Sequence, residues 1–118
     1  RQDSSANIGL KVMTTLKENL ISRFTAMSDV TVDRYKDTEL LGVNYKGKEV
    51  AHFQTGSENE LDIRLSPAII RREKLTVPAD SKSHPDRSKN SRWIIQKYRE
   101  SKDLDQMVRL VELAIELR

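Results

Sequence analysis

From Val30 to Leu65 the chain runs as a succession of short period-two segments, and helix-period segments flank them on both sides. A period of two puts alternate side chains on opposite faces of a sheet, whereas a period near 3.6 gives one apolar stripe on a helix. That order restricts the chain to helices packed on a sheet. The cleanest segment is Leu61, Ile63 and Leu65, alternating with Asp62 and Arg64. Its apolar set points to a core and its charged pair to the opposite face. Val30, Val32 and Tyr35 form a shorter segment. Leu41, Val43 and Tyr45 form the next, and Val50, Ala51 and Phe53 the one after. Lys36-Asp37-Thr38 reads as a turn, and so does the run from Thr55 to Asn59. Lys46-Gly47 signals a tight hairpin, because glycine accepts positive φ. Together the four segments predict an antiparallel meander.

Upstream, Ile8, Val12, Leu16, Leu20 and Phe24 recur at a strict spacing of four, and Met13 and Ile21 widen the stripe. This predicts an amphipathic helix from about Asn7 to Met27, slightly weakened by Gly9 in its first turn. Downstream, Ser66-Pro67 reads as an N-cap followed by proline at the first helical position of a short helix ending near Lys74. A long polar connection covers 74–91. Trp93 to Tyr98 is the fifth strand. Ser101 is the predicted cap of the last helix, with Asp103 in its first turn and Leu104, Met107, Val108, Val111, Ala114 and Ile115 as its stripe.

The expected fold class is therefore α+β. An antiparallel sheet of about five strands, a four-strand meander plus one, carries two long amphipathic helices on one face, with one short helix. The other face is open or lined by the 74–91 connection, with Asp62 and Arg64 beneath it. A chain of 118 residues fits one domain. It is expected to span 8–118, after a polar, flexible stretch at 1–7.

The chain has no cysteine, which excludes disulfides and thiolate metal sites. No apolar run approaches the ~20 residues of a membrane span, and the first residues lack the layout of a signal peptide. With no initiator methionine, the chain reads as trimmed or as a fragment. A soluble, cytoplasmic protein is the expectation. The net charge is +3, but it is uneven. Between Ile69 and Arg92 stand Arg71, Arg72, Lys74, Lys82, Arg87, Lys89 and Arg92 against only Glu73, Asp80 and Asp86, which leaves the remainder slightly negative. A local positive patch favours an anionic partner: phosphate, carboxylate or nucleic acid. Surface basic residues also serve solubility alone.

Six residues are candidates to converge: His52, Asp62, Arg64, His84, Arg87 and Ser91. Alternation puts His52 on the same side as Asp62 and Arg64, and a meander makes His52 and Asp62 cross-strand neighbours. A histidine held by a carboxylate can serve as general base, with Arg64 or Arg87 holding an anion. The commoner use of such residues is a polar cluster that satisfies its own hydrogen bonds. Two histidines and an aspartate lack the tight spacing of a metal site, so no metal or other cofactor is assigned. Ser88 and Ser91 near His84 lack the strained elbow and glycines that a nucleophile needs; bonding to loop backbone is their commoner role. Trp93 can stack a ligand ring, although a tryptophan opening a strand is more often core. Arg87, Lys89 and Arg92 can contact phosphates, but aromatics are only 5% of residues and no recognition-helix pattern is evident.

Four segments carry a family resemblance: Lys46-Gly47-Lys48-Glu49-Val50-Ala51-His52-Phe53, Leu61-Asp62-Ile63-Arg64-Leu65-Ser66, His84-Pro85 through Ser91-Arg92-Trp93-Ile94, and Val108-Arg109-Leu110-Val111. In their order and spacing they resemble a little-characterised bacterial family of luciferase-like domains, from about Leu16 to Leu117. The family hairpin often carries a second histidine where this chain has Gln54. The family title implies light emission, but no flavin or oxygen-chemistry motif accompanies it. The order of elements is also similar to that of YjbR-type double-wing proteins, which have been linked to DNA binding; this is a likeness of fold alone. The function expected from the residues is a binding module for an anionic small molecule or a protein partner. Candidate ligand-binding residues are His52, Asp62, Arg64, His84, Arg87, Ser88, Ser91 and Trp93. The alternatives are a small hydrolase or isomerase with a histidine base, and a nucleic-acid-binding protein.

Overall fold

A computed structural model of the chain describes residues 8–35, 38–55, 59–81, 87 and 90–118, with side chains from Thr15 onward. In chain order the elements are α1 (Ile8–Thr25), β1 (Val30–Arg34), β2 (Leu41–Tyr45), β3 (Lys48–Phe53), β4 (Glu60–Arg64), α2 (Pro67–Arg72), β5 (Trp93–Lys97) and α3 (Ser101–Glu116). The strands form one antiparallel sheet in the order β1-β2-β3-β4-β5. The α+β reading and its five-strand antiparallel sheet, a four-strand meander plus one, therefore stand. The stretch 1–7, expected to be flexible, lies outside the described residues, as do the turn positions 36–37 and 56–58.

Alternation selects the buried face. Val43, Phe53, Leu61, Ile63 and Ile94 form one cluster with Leu16, Leu20 and Phe24 of α1 and with Leu104, Met107, Leu110, Val111 and Ala114 of α3. Both long helices thus cover the same sheet face, as the two apolar stripes require. The Phe24 and Phe53 rings meet at 6.1 Å, which ties α1 to β3.

Local chemistry sets the element ends. Lys46 and Gly47 both have positive φ (50° and 81°), the two-residue turn whose twist matches the strands it joins. Ser66 accepts from the Ile69 N–H through its hydroxyl, with Pro67 opening α2. At α3 the expectation is corrected: Glu100 is the N-cap and Ser101 the first helical residue. Asp103 determines this, because its carboxylate accepts from both the Arg99 and Glu100 backbone N–H groups (2.7 and 3.0 Å) and so fixes the turn one residue early.

One irregularity matters for function. The β2–β3 register shifts between Val43 and Asn44, pairing Val43 with Ala51 but Asn44 with Glu49. Val50 is the extra residue of a bulge. A bulge moves the alternation by one position, so Val50 and Ala51 are both buried and Glu49 comes onto the same face as His52.

The helix-free face carries Thr31 and Asp33 from β1, Gly42 and Asn44 from β2, and His52 from β3. Glu60, Asp62 and Arg64 of β4 and Trp93, Ile95 and Lys97 of β5 complete it. The connection after α2 is fastened beside β5. The Gln96 side-chain amide donates to the Thr76 carbonyl at 2.7 Å. Asp80 meets Lys97 Nζ and Arg99 Nη2, each at 3.1 Å. The Arg99 hydrogen bond and then the Lys97 one hold the Asp80 carboxyl down at about 2.

Candidate functional site

His52 and Asp62 are directly opposed in the β3–β4 register, and a 3.3 Å contact joins His52 Nε2 to Asp62 Oδ2. Two further acceptors reach the ring. Glu49 Oε2 lies 3.2 Å from Nδ1, and Gln54 Oε1 lies 3.0 Å from Nε2. Each ring nitrogen faces an oxygen, so both can donate when the ring is protonated. The Asp62 contact makes this independent of how the Gln54 amide is turned. Burial, the largest single influence, disfavours a charged imidazole. Hydrogen bonding and charge from Asp62, with Glu49 and Gln54, outweigh it and raise the His52 pKa.

Asp62 is fully buried, yet its carboxylate stays ionised. Burial alone would raise its pKa. Against this, His52 and Arg87 hydrogen-bond to the carboxylate and lower it. Arg87 is the strongest partner in geometry: Nη1 donates to Oδ1 at 2.8 Å and Nη2 to Oδ2 at 2.9 Å. Such a two-pronged pair fixes orientation as well as charge. It also commits Arg87 to holding the connection on the sheet and leaves its charge neutralised.

Trp93 is half-buried and stands outside the core cluster, which corrects the core reading of this residue. Its strand partner is Arg64, but its ring lies 5.1 Å from that of His52, tilted by 40°. β3 and β5 flank β4, so their backbones are about 9–10 Å apart. The two side chains therefore meet over β4. Ser91 supports this placement by accepting from the Trp93 N–H at 3.0 Å. That is the loop-backbone role common for such a serine.

Arg64 is partly buried at the end of β4, beside Trp93. The Leu65 N–H donates to the Arg92 carbonyl at 2.7 Å, which keeps the chain around Arg92 alongside. Burial first, then the charges of Arg118 and Arg92, disfavour the charged form of Arg64. Among the described residues, none of these three arginines has a carboxylate partner. The other cations of this face do: Arg87 pairs with Asp62, and Lys97 with Glu60 and Asp80.

Five of the eight candidates, His52, Asp62, Arg64, Arg87 and Trp93, are thus brought together, and Ser91 buttresses them from behind. His84 and Ser88 lie outside the described residues. Glu49 and Gln54 escaped the sequence reading. Simple alternation puts Glu49 on the core face, and only the adjacent buried pair Val50-Ala51 betrayed the bulge. Among the described residues no three His, Asp or Glu side chains are placed to hold a metal ion, and no helix is long and apolar enough to cross a membrane.

The sequence model of the Luciferase domain family matches residues 47–114, the stretch that contains β3, Asp62, Arg64, Trp93 and most of α3. No curated protein matches the chain, and no solved structure does. With more than half of its length matched, from Gly47 to Ala114, this chain belongs to the Luciferase domain family.

Proposed function

We propose that the domain binds an anionic ligand on the helix-free face of its sheet, at the end of β4. The observation that carries this reading is the contrast among the cations of that face. Arg87 and Lys97 are neutralised by acidic partners. Arg64, pressed by the charges of Arg92 and Arg118, has no such partner among the described residues. A partly buried guanidinium pressed by like charges is relieved by an anion, and the fork geometry of arginine suits a carboxylate or phosphate. Trp93, beside Arg64, offers an apolar wall to the ligand body.

The test is thermal unfolding at low ionic strength with a panel of phosphates, sulfate, carboxylates and nucleotides. Ligands that bind only the native state raise the melting temperature. Stabilisation by an anion is expected to fade with added salt, to vanish in Arg64→Ala and to persist in Arg71→Ala, an exposed arginine of α2. Equal stabilisation of the wild type and Arg64→Ala overturns the reading.

The His52–Asp62 contact favours a second reading, a reaction that moves a proton at His52. When protonated, His52 is an acid that these oxygens favour; it becomes a base when it gives up the proton facing Asp62 and Gln54, or Glu49. Turnover of a candidate ester or ketone with a histidine-range pH dependence supports this reading. A flat profile between about pH 5 and 8 removes it.

A further inference from the structure

The sheet ends in β1 on one side and β5 on the other, and its two edges are finished differently. Beside β5 the connection after α2 is fastened by Gln96 to the Thr76 carbonyl and by Asp80 to Lys97 and Arg99. β1 pairs with β2 in an unbroken register, no proline or bulge interrupts it, and its two charges, Asp33 and Arg34, are of opposite sign. Parity assigns its outward groups. The Asp29 carbonyl accepts from the Lys46 N–H at 3.0 Å, and the Tyr35 N–H donates to the Leu40 carbonyl at 2.8 Å. Thr31 and Asp33, in step with these two, therefore bond to β2, while Val30, Val32 and Arg34 turn their backbone groups outward. The Val30 N–H is taken by the Met27 carbonyl at 3.3 Å. The Val30 carbonyl and both backbone groups of Val32 and Arg34 have no partner among the described residues.

An antiparallel strand added here must set its own outward residues against these. For a second copy, charge decides between the registers. Val32 against Arg34 brings Asp33 to face Asp33. Val30 against Val32 brings Asp33 to face Asp29. Val32 against Val32 brings Asp33 to face Thr31 and Arg34 to face Val30. Like charges directly opposite are unfavourable, so the last register is selected. In it the Thr31 hydroxyl can donate to the Asp33 carboxylate at both ends. The Arg34 N–H reaches the Val30 carbonyl, and the Val32 side chains, each packed on its own core, meet on the axis. We infer that β1 is a self-association edge, paired antiparallel with β1 of a second copy about a twofold axis at Val32. The axis is normal to the sheet, so two five-stranded sheets continue as one with their helices on the same side. With β5 carrying the connection, association stops at two chains. A five-residue strand is a small contact, so the dimer belongs to the weak, transient class.

The experiment is sedimentation velocity of the full chain from about 10 μM to about 1 mM, with amide exchange of Val32 followed by NMR over the same range. The mass is expected to move from one chain towards two, and Val32 exchange to slow as it does. Val32→Pro removes a donor that β2 does not use, which edge strands tolerate, and is expected to weaken association about tenfold or more. Thr31 is exposed, so its variants decide the matter if Val32→Pro does not fold. Thr31→Asp sets carboxylates face to face and is expected to weaken the dimer. Thr31→Lys faces Asp33 and is expected to tighten it about threefold. A mass that stays at one chain across the range overturns the proposal. So does growth past two chains, association without slower Val32 exchange, or association indifferent to Val32→Pro and Thr31→Asp. Weakening by Thr31→Lys as well as by Thr31→Asp overturns the register on which the choice of a second copy rests.

Discussion

Arg87 ties the connection after α2 to the sheet through one buried carboxylate, so Arg87→Ala is the most direct perturbation of the polar face. Both oxygens of Asp62 lose a charged donor, while the longer His52 contact to Oδ2 remains. Asp62 is fully buried and Arg87 only 21% exposed, so the pair belongs with buried ion pairs. Removing one partner from such a pair costs about 3–5 kcal/mol. His52 remains and water gains access where Arg87 was, which favours the low end, about 3 kcal/mol. For a domain of this size that is a fall of roughly 10 °C in melting temperature. The penalty also depends on pH. Asp62 has a depressed folded pKa, so its ionised form contributes stability above the unfolded value of 3.8, and that contribution is lost as pH falls through the folded pKa. Without Arg87 the carboxyl titrates higher and sheds its uncompensated charge sooner. Urea unfolding of wild type and Arg87→Ala at pH 7 and pH 3.5 should therefore give a difference that shrinks in acid. A difference below about 1 kcal/mol at pH 7, in the range of an exposed pair, or one that does not change with pH, refutes this account of the pair.

The His52 pKa is raised above 6.5, so its charge stabilises the fold below that pH, and the benefit is lost as pH rises through the folded value. A titration of the His52 ring signals by NMR should give a midpoint above 6.5 that drops in Asp62→Asn; a midpoint below 6.5 in the wild type contradicts the contact set. Trp93 emission should follow the same midpoint, because the charged ring lies 5.1 Å away; emission that ignores it refutes the placement of the indole. Gly47→Ala forces a Cβ into positive φ and should cost about 1–2 kcal/mol in chemical unfolding. The space around Gly47 is open, so the whole cost is backbone strain. Leu20→Ala opens the helix-covered core at a fully buried position and should cost about 2–5 kcal/mol without altering anion binding.

The fold was legible wherever one physical rule acted alone. Leu61, Ile63 and Leu65 keep strict alternation because β4 has one face on the core. Lys46-Gly47 announced its turn because the backbone there needs positive φ. The same register carried His52 to Asp62, so the centre of the polar cluster could be read from strand parity. What was not legible depended on a break in parity or on reach. The Val50 bulge turned Glu49 onto the His52 face. Trp93 left its expected place in the core because β5 turns Ile94, not Trp93, toward the helices. Asp103 moved the start of α3 by capturing two backbone N–H groups. Arg87 looked like an anion ligand in sequence, yet its free charge is consumed by Asp62, and that partnership crosses 25 residues of chain.

The central claim, that Arg64 on the helix-free face takes an anion, is tested most directly by calorimetric titration of inorganic phosphate into the full chain and into Arg64→Ala, in the same low-salt buffer. The account predicts a saturable isotherm for the wild type, weakened about tenfold by the substitution. Superimposable isotherms for the two proteins would contradict it.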